Sequence, residues 1–518
     1  MITEWIDQAA ASRGDASYLE GGAGTGTLTF AGLRRATAGW AHRLDRAGVP
    51  PGAAVALRLP DPLGYATALA AIVGAGRVVV PLDPAAPGPD LSRMLAVARP
   101  RALVCDPRAA DVPIGLTVLK PDPLAGDTGL AGDTGLAGGT ALTGGTGLAG
   151  GTGLAAGFSG RGGIFLCTSG TTGTPKGILL REDQLGHVAA TVARHHRLSP
   201  ADRGYCCLPL FHINAEVVGL LATLAARACL VLDRRFSRRQ FWPLIEAKRI
   251  TWINAVPAII TVLAMDPGQA GPPGGQVRFI RSASAPLAPS VLQRFEQAFG
   301  IPVVETYGMT EAASMITANP LDGPRKPGSA GLPAGAEVRV VPVPGAADAA
   351  DAADAVGRVQ IRGRGVITEY AAGGPAGAID PGGWLDTGDL GHLDADGYLF
   401  LAGRSDDVIN RGGEKIYPIQ IEDFLLAHDG VAAAAVVAAP DDVLGERPVA
   451  YVVPAGSWSP DKLEYALAEA CEAGLPRARR PSAFGVLERM PLGPTGKISR
   501  RRLRQLAAGA PAERSTER

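Results

Sequence analysis

Ten consecutive residues combine the side chains an anion cradle needs. Thr168-Ser-Gly-Thr-Thr-Gly-Thr-Pro-Lys-Gly177 follows directly on the apolar run Gly163 to Cys167. Hydroxyls at Thr168, Ser169, Thr171 and Thr172, with backbone N–H groups around Gly170 and Gly173, can donate to phosphate oxygens, and Lys176 supplies the charge. Pro175 stands where a Walker loop has its second glycine, so the cradle is of another kind. A second glycine pattern, Gly145-Thr-Gly147-Leu-Ala-Gly150, matches the dinucleotide fingerprint, but no strand precedes it and the surrounding repeat makes such matches by chance. Asp394 and Asp396, in LDADGYL, fit a hairpin turn rather than a calcium loop.

The elements that must hold such a loop can be read from the alternation of apolar patterns. Between about residues 27 and 105, helical stretches such as Tyr65 to Val73 alternate with β-branched runs such as Arg77 to Pro81, the rhythm of βαβ units and a parallel sheet. Residues 124–157 repeat a short unit of Gly, Ala, Thr and Leu that buries too little surface to offset its ordering entropy, and are expected to be a flexible insertion. The βα rhythm resumes to about residue 320, with helices expected at Gln184 to His196, Val217 to Ala226 and Pro289 to Phe299. From Gly328 to about Leu401, short strands and turns form a small β-rich part, interrupted by a low-complexity loop at Ala347 to Ala355. After Arg404 the helix Pro418 to Ala427, strand Ala432 to Ala438 and helix Pro460 to Ala473 read as a compact α+β unit with a disordered tail.

A chain of 518 residues requires at least two domains. Lys plus Arg equals Asp plus Glu at 50 each, which excludes a global field for nucleic acid or an anionic membrane, so any anion site is local. The six cysteines lack the spacing of a zinc site or disulfide framework. The N-terminus MITEWIDQAA lacks the basic region of a signal peptide, the apolar run Val431 to Ala439 is too short to span a bilayer, and Arg227 breaks the run Leu220 to Leu232. A cytoplasmic protein without a membrane span is expected.

The decapeptide at 168–177 closely resembles the phosphate loop of the adenylate-forming superfamily, which comprises acyl-CoA synthetases, luciferases and peptide-synthetase adenylation domains. That resemblance requires further motifs in a fixed order, and they are present; the nearest likeness is to ligases of the oxalate–CoA and 4-coumarate–CoA type. Tyr307-Gly308-Met-Thr310-Glu311-Ala312 resembles the segment whose tyrosine stacks on adenine, whose threonine holds the α-phosphate and whose glutamate helps bind Mg²⁺. The types fit: a flat ring, a hydroxyl and a hard carboxylate for a hard cation. Trp384-Leu-Asp-Thr-Gly-Asp389 with Gly403-Arg404 resembles the ribose site, where an acceptor-only carboxylate suits a diol; Asp386 is read as a turn residue. Gly403 to Ile416 resembles the interdomain segment, with Asp406 as hinge and Gly412 and Gly413 beside the thiol acceptor. Pro491-Leu-Gly-Pro-Thr-Gly-Lys497-Ile resembles the loop of the catalytic lysine, which bridges attacking carboxylate and α-phosphate. The neighbouring run Arg500 to Arg504 reads as a solvated helix face. The resemblance implies an α/β fold: residues 1–403 as a large N-terminal domain of two αβ subdomains plus a small β-barrel-like subdomain, and residues 404–518 as a small mobile α+β domain.

The acid is less sharply specified. Leu208-Pro-Leu-Phe-His212-Ile-Asn214 resembles the segment whose histidine gates the acyl pocket, and His212 stands where amino-acid-activating relatives carry aspartate, which disfavours an α-amino acid. Ile280 to Ala288 lines the opposite wall by the same comparison and places Ser282 and Ser284 there. Hydroxyls in a pocket are costly unless bonded, so a small or polar acid is expected. Asn214 and Ser314 occupy places where oxalate ligases carry histidines, which weakens the case for oxalate. The expectation is an acid–thiol ligase that uses ATP, Mg²⁺ and coenzyme A. Transfer to a carrier-protein phosphopantetheine or to an amine, or activation of an inorganic acid such as nitrite, stays open. A non-catalytic relative would be expected to lack Lys497, Glu311 or Thr310, and all three are present.

Overall fold

The computed structural model describes residues 1–22, 24, 26–106, 116–121, 161–168, 176–265, 271, 275–343, 355–456, 458–493 and 497–509, the side chain of Thr168 excepted. The insertion at 124–157 with its fingerprint match, the loop residues Ser169, Gly170, Thr171, Thr172 and Gly173, and nearly all of the 347–355 loop lie outside these residues.

The alternation of apolar runs becomes two large sheets. Six strands lie in the order Thr117–Leu119, Ala102–Cys105, Ala54–Arg58, Val78–Pro81, Gly163–Thr168 and Lys176–Arg181, parallel except for the last pair. Nine strands form the second sheet, in the order Leu332–Pro333, Ser314–Ala318, Val303–Met309, Phe279–Ser282, Trp252–Ala255, Arg203–Cys206, Cys229–Leu232, Ser17–Gly21 and Thr27–Thr29. Strands such as Val78–Pro81 and Trp252–Ala255 are buried throughout, which explains their unbroken apolar character where an edge strand would alternate. The helix Pro62–Gly74 starts where Asp61 accepts from Gly64 N at 2.7 Å with proline in its first turn, and glycine, alanine and valine let it pack tightly.

One expected helix differs in kind. Instead of an α-helix from 217, the chain forms a π-helix, Asn214–Leu221, followed by a short α-helix, Ala222–Ala225. Apolar periodicity cannot distinguish the two; wider π turns are concentrated at functional sites.

The β-rich part is an antiparallel sheet of Glu337–Val341, Gly357–Arg362, Leu385–Leu393 and Leu399–Arg404 in that order. Beyond it, Gly445–Pro454 is the central strand of a five-stranded sheet, paired along one side with the edge strand Val431–Asp441, and the apolar clusters of this sheet draw their buried members from residue 409 onwards. This last unit rests on the earlier part of the chain where the helix Pro418–Leu426 meets the helix Pro289–Phe299. Ser290 Oγ and Arg294 Nη2 donate to the Leu426 carbonyl at 3.3 and 3.2 Å.

The helix Arg500–Ala507 corrects the expectation of a uniformly solvated arginine face. Arg501 and Arg502 are exposed, but Arg500 donates to Val436 O at 2.7 Å and pairs with Glu422 at 2.7 Å and Asp407 at 3.4 Å. Arg504 pairs with Asp407 and donates to the Asp406 carbonyl at 3.1 Å. The arginines repeat at helical spacing, so one face meets acids while the other meets water. All six cysteines are free, and no helix among the described residues is long and apolar enough to cross a membrane.

Candidate active site

Residues far apart in sequence meet around Asp389. Asp389 and Arg404 face each other on adjacent antiparallel strands, and Arg404 Nη1 donates to Asp389 Oδ1 at 3.2 Å. The Tyr307 hydroxyl donates to Oδ2 at 2.5 Å. Gly388, at φ 74°, leaves room for the guanidinium, since a Cβ there would lie 3.1 Å from Arg404 Nη2. Asp386 is the turn residue expected of it: one carboxylate oxygen accepts from Gly388 N at 2.9 Å and the other pairs with Arg358 at 2.9 Å. Asp394 likewise closes its hairpin by accepting from Asp396 N and Tyr398 N, and Lys326 pairs with both aspartates.

Gly308 is required by packing. The strand Ser314–Ala318 approaches so closely that a Cβ at 308 would lie 1.4 Å from the Ser314 carbonyl oxygen. Between the strands, Thr310–Ala312 forms a 3₁₀ turn, and Ala313 and Ser314 reverse the chain with φ of 49° and 102°. This buries Glu311, whose carboxylate accepts from the Tyr370 hydroxyl at 3.1 Å. Lys176 Nζ lies 5.8 Å from the centre of the Tyr370 ring, so lysine and glutamate flank one tyrosine. Gly177 allows that approach: it exchanges backbone bonds with Ala371 and Ala372, and a Cβ there would meet the Phe165 ring at 2.7 Å. Sequence reading missed Tyr370, whose neighbours follow no spacing rule.

Lys497 reaches this cluster from the end of the chain, in a loop closed by Gly493 N donating to Lys497 O at 2.7 Å. The residue is exposed, yet enough protein surrounds it to hold its ammonium below the ordinary range; Asp389 works against that shift and Arg404 adds to it. Burial raises Asp389, opposed by Arg404, the Tyr307 hydroxyl and Lys497. The charge of Lys497 is also felt at His212, which burial and then Lys497 push down to about 4 against the pull of Asp83. His212 is therefore neutral at physiological pH. Its ring lies 4.6 Å from that of Phe211, and its buried Nε2 has no hydrogen-bond partner among the described residues.

Behind His212, Asn214 opens the π-helix and donates to Ser284 Oγ at 3.2 Å. Ser314 is buried in its strand; Ser282 is buried too, its hydroxyl without a partner among the described residues, whereas Ser284 is exposed. The Gly412–Gly413 turn, with φ of 59° and 91°, joins the strands Ile409–Arg411 and Glu414–Ile416; among the described residues no hydrogen bond or ion pair ties it to the Asp389 cluster. Asp406 lies in the 3₁₀ turn Ser405–Asp407 between the β-rich part and the last unit. No group of three or more His, Cys, Asp or Glu side chains among the described residues could hold a metal ion. Mg²⁺ uses one or two carboxylates with substrate phosphates, so a lone buried Glu311 suits an ion that arrives with its nucleotide.

The pattern of AMP-binding enzymes matches residues 6–371, and that of the AMP-binding enzyme C-terminal domain matches residues 420–497. The chain belongs to the AMP-binding enzyme family. This AMP-binding enzyme is 43% identical over 343 residues to a sulfoacetate–CoA ligase of Cupriavidus necator, a match covering 66% of each chain. It is 38% identical over 349 residues to an oxalate–CoA ligase of Arabidopsis thaliana, again covering 66% of each, so the matches span about two thirds of these relatives. ATP-bound MatB of Rhodopseudomonas palustris superposes with a TM-score of 0.80 at 27% identity, covering 98% of this chain and 99% of that one.

Proposed function

We propose that this AMP-binding enzyme is an acid–thiol ligase: with ATP it converts a small or polar carboxylic acid to an acyl adenylate, releasing pyrophosphate, and then passes the acyl group to coenzyme A. The observation that carries the reading is the meeting of Tyr307, Asp389 and Arg404 from separate parts of the chain, and the charge of Lys497 is felt at Asp389 and His212 beside it. Asp389 and Arg404 hold the ribose, Tyr307 stacks on the base beside Gly308, and Thr310 binds the α-phosphate. Lys176 and the loop from Thr168 through Ser169, Gly170, Thr171, Thr172 and Gly173 hold the outer phosphates. Glu311 holds Mg²⁺, which neutralises phosphate charge when bound. Lys497 lies between the two anions that must meet, the incoming carboxylate and the α-phosphate, and offsets their repulsion.

On the acyl side, neutral His212 gates the pocket without repelling Lys497, and Asn214, Ser282, Ser284 and Ser314 line it. The two ligases named above are ligases of sulfoacetate and oxalate, short acids in keeping with a polar pocket. For thioester formation the domain beginning near residue 404 turns about Asp406 and brings Gly412 and Gly413 to the thiol. The reaction belongs in the cytoplasm, where ATP and coenzyme A are supplied and six free cysteines persist.

Pyrophosphate release against a panel of small carboxylic and amino acids, with and without coenzyme A, tests this, with mass detection of the thioester. Acid-dependent release and an acyl-CoA product are expected. Release that ignores coenzyme A but is accelerated by a carrier protein would replace the acceptor; no release with any acid would overturn the reading.

A further inference from the structure

Beneath the exposed Ser284 lies a buried cation without an anion. Arg281, in the strand Phe279–Ser282, is 1% exposed. Its Nη1 donates to Asn214 Oδ1 at 2.8 Å and Asn254 Oδ1 at 3.1 Å, while its buried Nε has no partner among the described residues. No carboxylate among the described residues pairs with it. The titratable neighbours add no carboxylate: burial raises the Cys206 thiol to about 11, and burial and Arg281 together lower His195 and His196. Glu216, on the same π-helix, is fully buried, has both oxygens unpartnered among the described residues, and is pushed up by burial. Burial draws Arg281 down to about 9, so it stays charged at neutral pH.

An uncompensated buried charge is strongly unfavourable, and a guanidinium cannot accept a hydrogen bond. That donor-only character sets the direction of the network. Asn214 must turn its oxygen to Arg281, so its amide N–H₂ points at Ser284 and occupies a lone pair of Oγ. The Ser284 proton is left free to donate outward, from a residue held at φ 76°, a conformation rare for serine. The network thus carries positive polarity from the buried arginine to an exposed hydroxyl.

We infer that the Arg281–Asn214–Asn254–Ser284 cluster receives the far end of the acid, and that this end is a second anionic group, a carboxylate or a sulfonate. The inference rests on the acyl-side reading above. Ser284 donates to the anion, and Arg281 is a positioning residue that fixes the carboxamide and supplies the field.

The test compares acids of matched shape that differ in charge at the far end: oxalate with pyruvate, malonate with acetoacetate, sulfoacetate with 3,3-dimethylbutyrate. Acid-dependent pyrophosphate exchange is measured for the native enzyme, Arg281→Met, Arg281→Lys and Ser284→Ala. The native enzyme should favour the dianion of at least one pair by about a hundredfold in kcat/KM. Arg281→Met should collapse that ratio towards one, mainly through the KM of the dianion, and Arg281→Lys should restore part of it. Ser284→Ala, at an exposed position that leaves the core intact, should cut the ratio about tenfold. Equal use of both members of every pair by the native enzyme would overturn the inference, as would an unchanged ratio in both Arg281→Met and Ser284→Ala. Absence of exchange with every acid tested would instead remove the adenylation reading on which it rests.

Discussion

At Asp389 a carboxylate has an arginine on one oxygen and a tyrosine hydroxyl on the other; at Arg281, under the acyl side, a guanidinium has two carboxamides and, among the described residues, no acid. The first arrangement is balanced before any ligand arrives and so holds its geometry for a nucleotide that brings its own cation. The second is unbalanced until an anion comes. Balanced groups position, whereas an unbalanced buried charge selects, because the wrong ligand leaves its desolvation unrelieved.

Lys497 stands between the two sides, and its removal should have the largest effect. Lys497→Ala is expected to slow acid-dependent pyrophosphate exchange by about 10²- to 10³-fold while thioester formation from added acyl adenylate is largely spared. Stopped-flow measurement of each half-reaction checks it. Next in size, Asp389→Asn would make the nucleotide side as unbalanced as the acyl side, leaving Arg404 and Lys497 without their acid. Hydrogen bonds to charged groups contribute about 1.5–3 kcal/mol, so the KM for ATP should rise roughly ten- to hundredfold with the acid KM little changed.

A smaller effect concerns how the last unit is seated. Burial, with Asp423 and Glu296 nearby, pushes Glu305 up to about 8, and burial with Glu422 pushes Asp423 up to about 7. Both acids bind more protons in the packed state than when exposed, so stability falls as pH rises from the ordinary carboxylate range towards 8 and levels off above it. Melting temperature should therefore fall between pH 5.5 and about 8, and Glu305→Gln should flatten the slope. Smallest, Arg504→Ala removes a partly exposed pair with Asp407 and a bond to the Asp406 carbonyl at the proposed hinge. Such pairs contribute about 0.2–1 kcal/mol, so exchange should change by no more than about fivefold, with any larger change in the thioester step.

Tyr307, Glu311, Asp389 and Lys497 could be singled out in the sequence because each sits in a short contiguous motif that resembles one of the adenylate-forming superfamily, with the motifs in the same order. The alternating sheets and the helices around 62–74, 289–299 and 460–474 were legible from apolar periodicity for the same local reason. Arg281 and Asn254 were not, because in a strand pattern they look like ordinary polar interruptions, and their meaning comes from the absence of an acid in three dimensions. Tyr370 gains its place only when Gly177 lets two loops touch. The arginines at 500 and 504 were misread because their partners, Asp407 and Glu422, precede them by most of a domain.

The most direct measurement of the central claim is exchange of labelled pyrophosphate into ATP by the purified chain, without coenzyme A, in the presence and absence of short acids and magnesium. The account predicts exchange that requires both an acid and magnesium. ATP binding with no exchange for any acid, or failure to bind ATP at all, would contradict it.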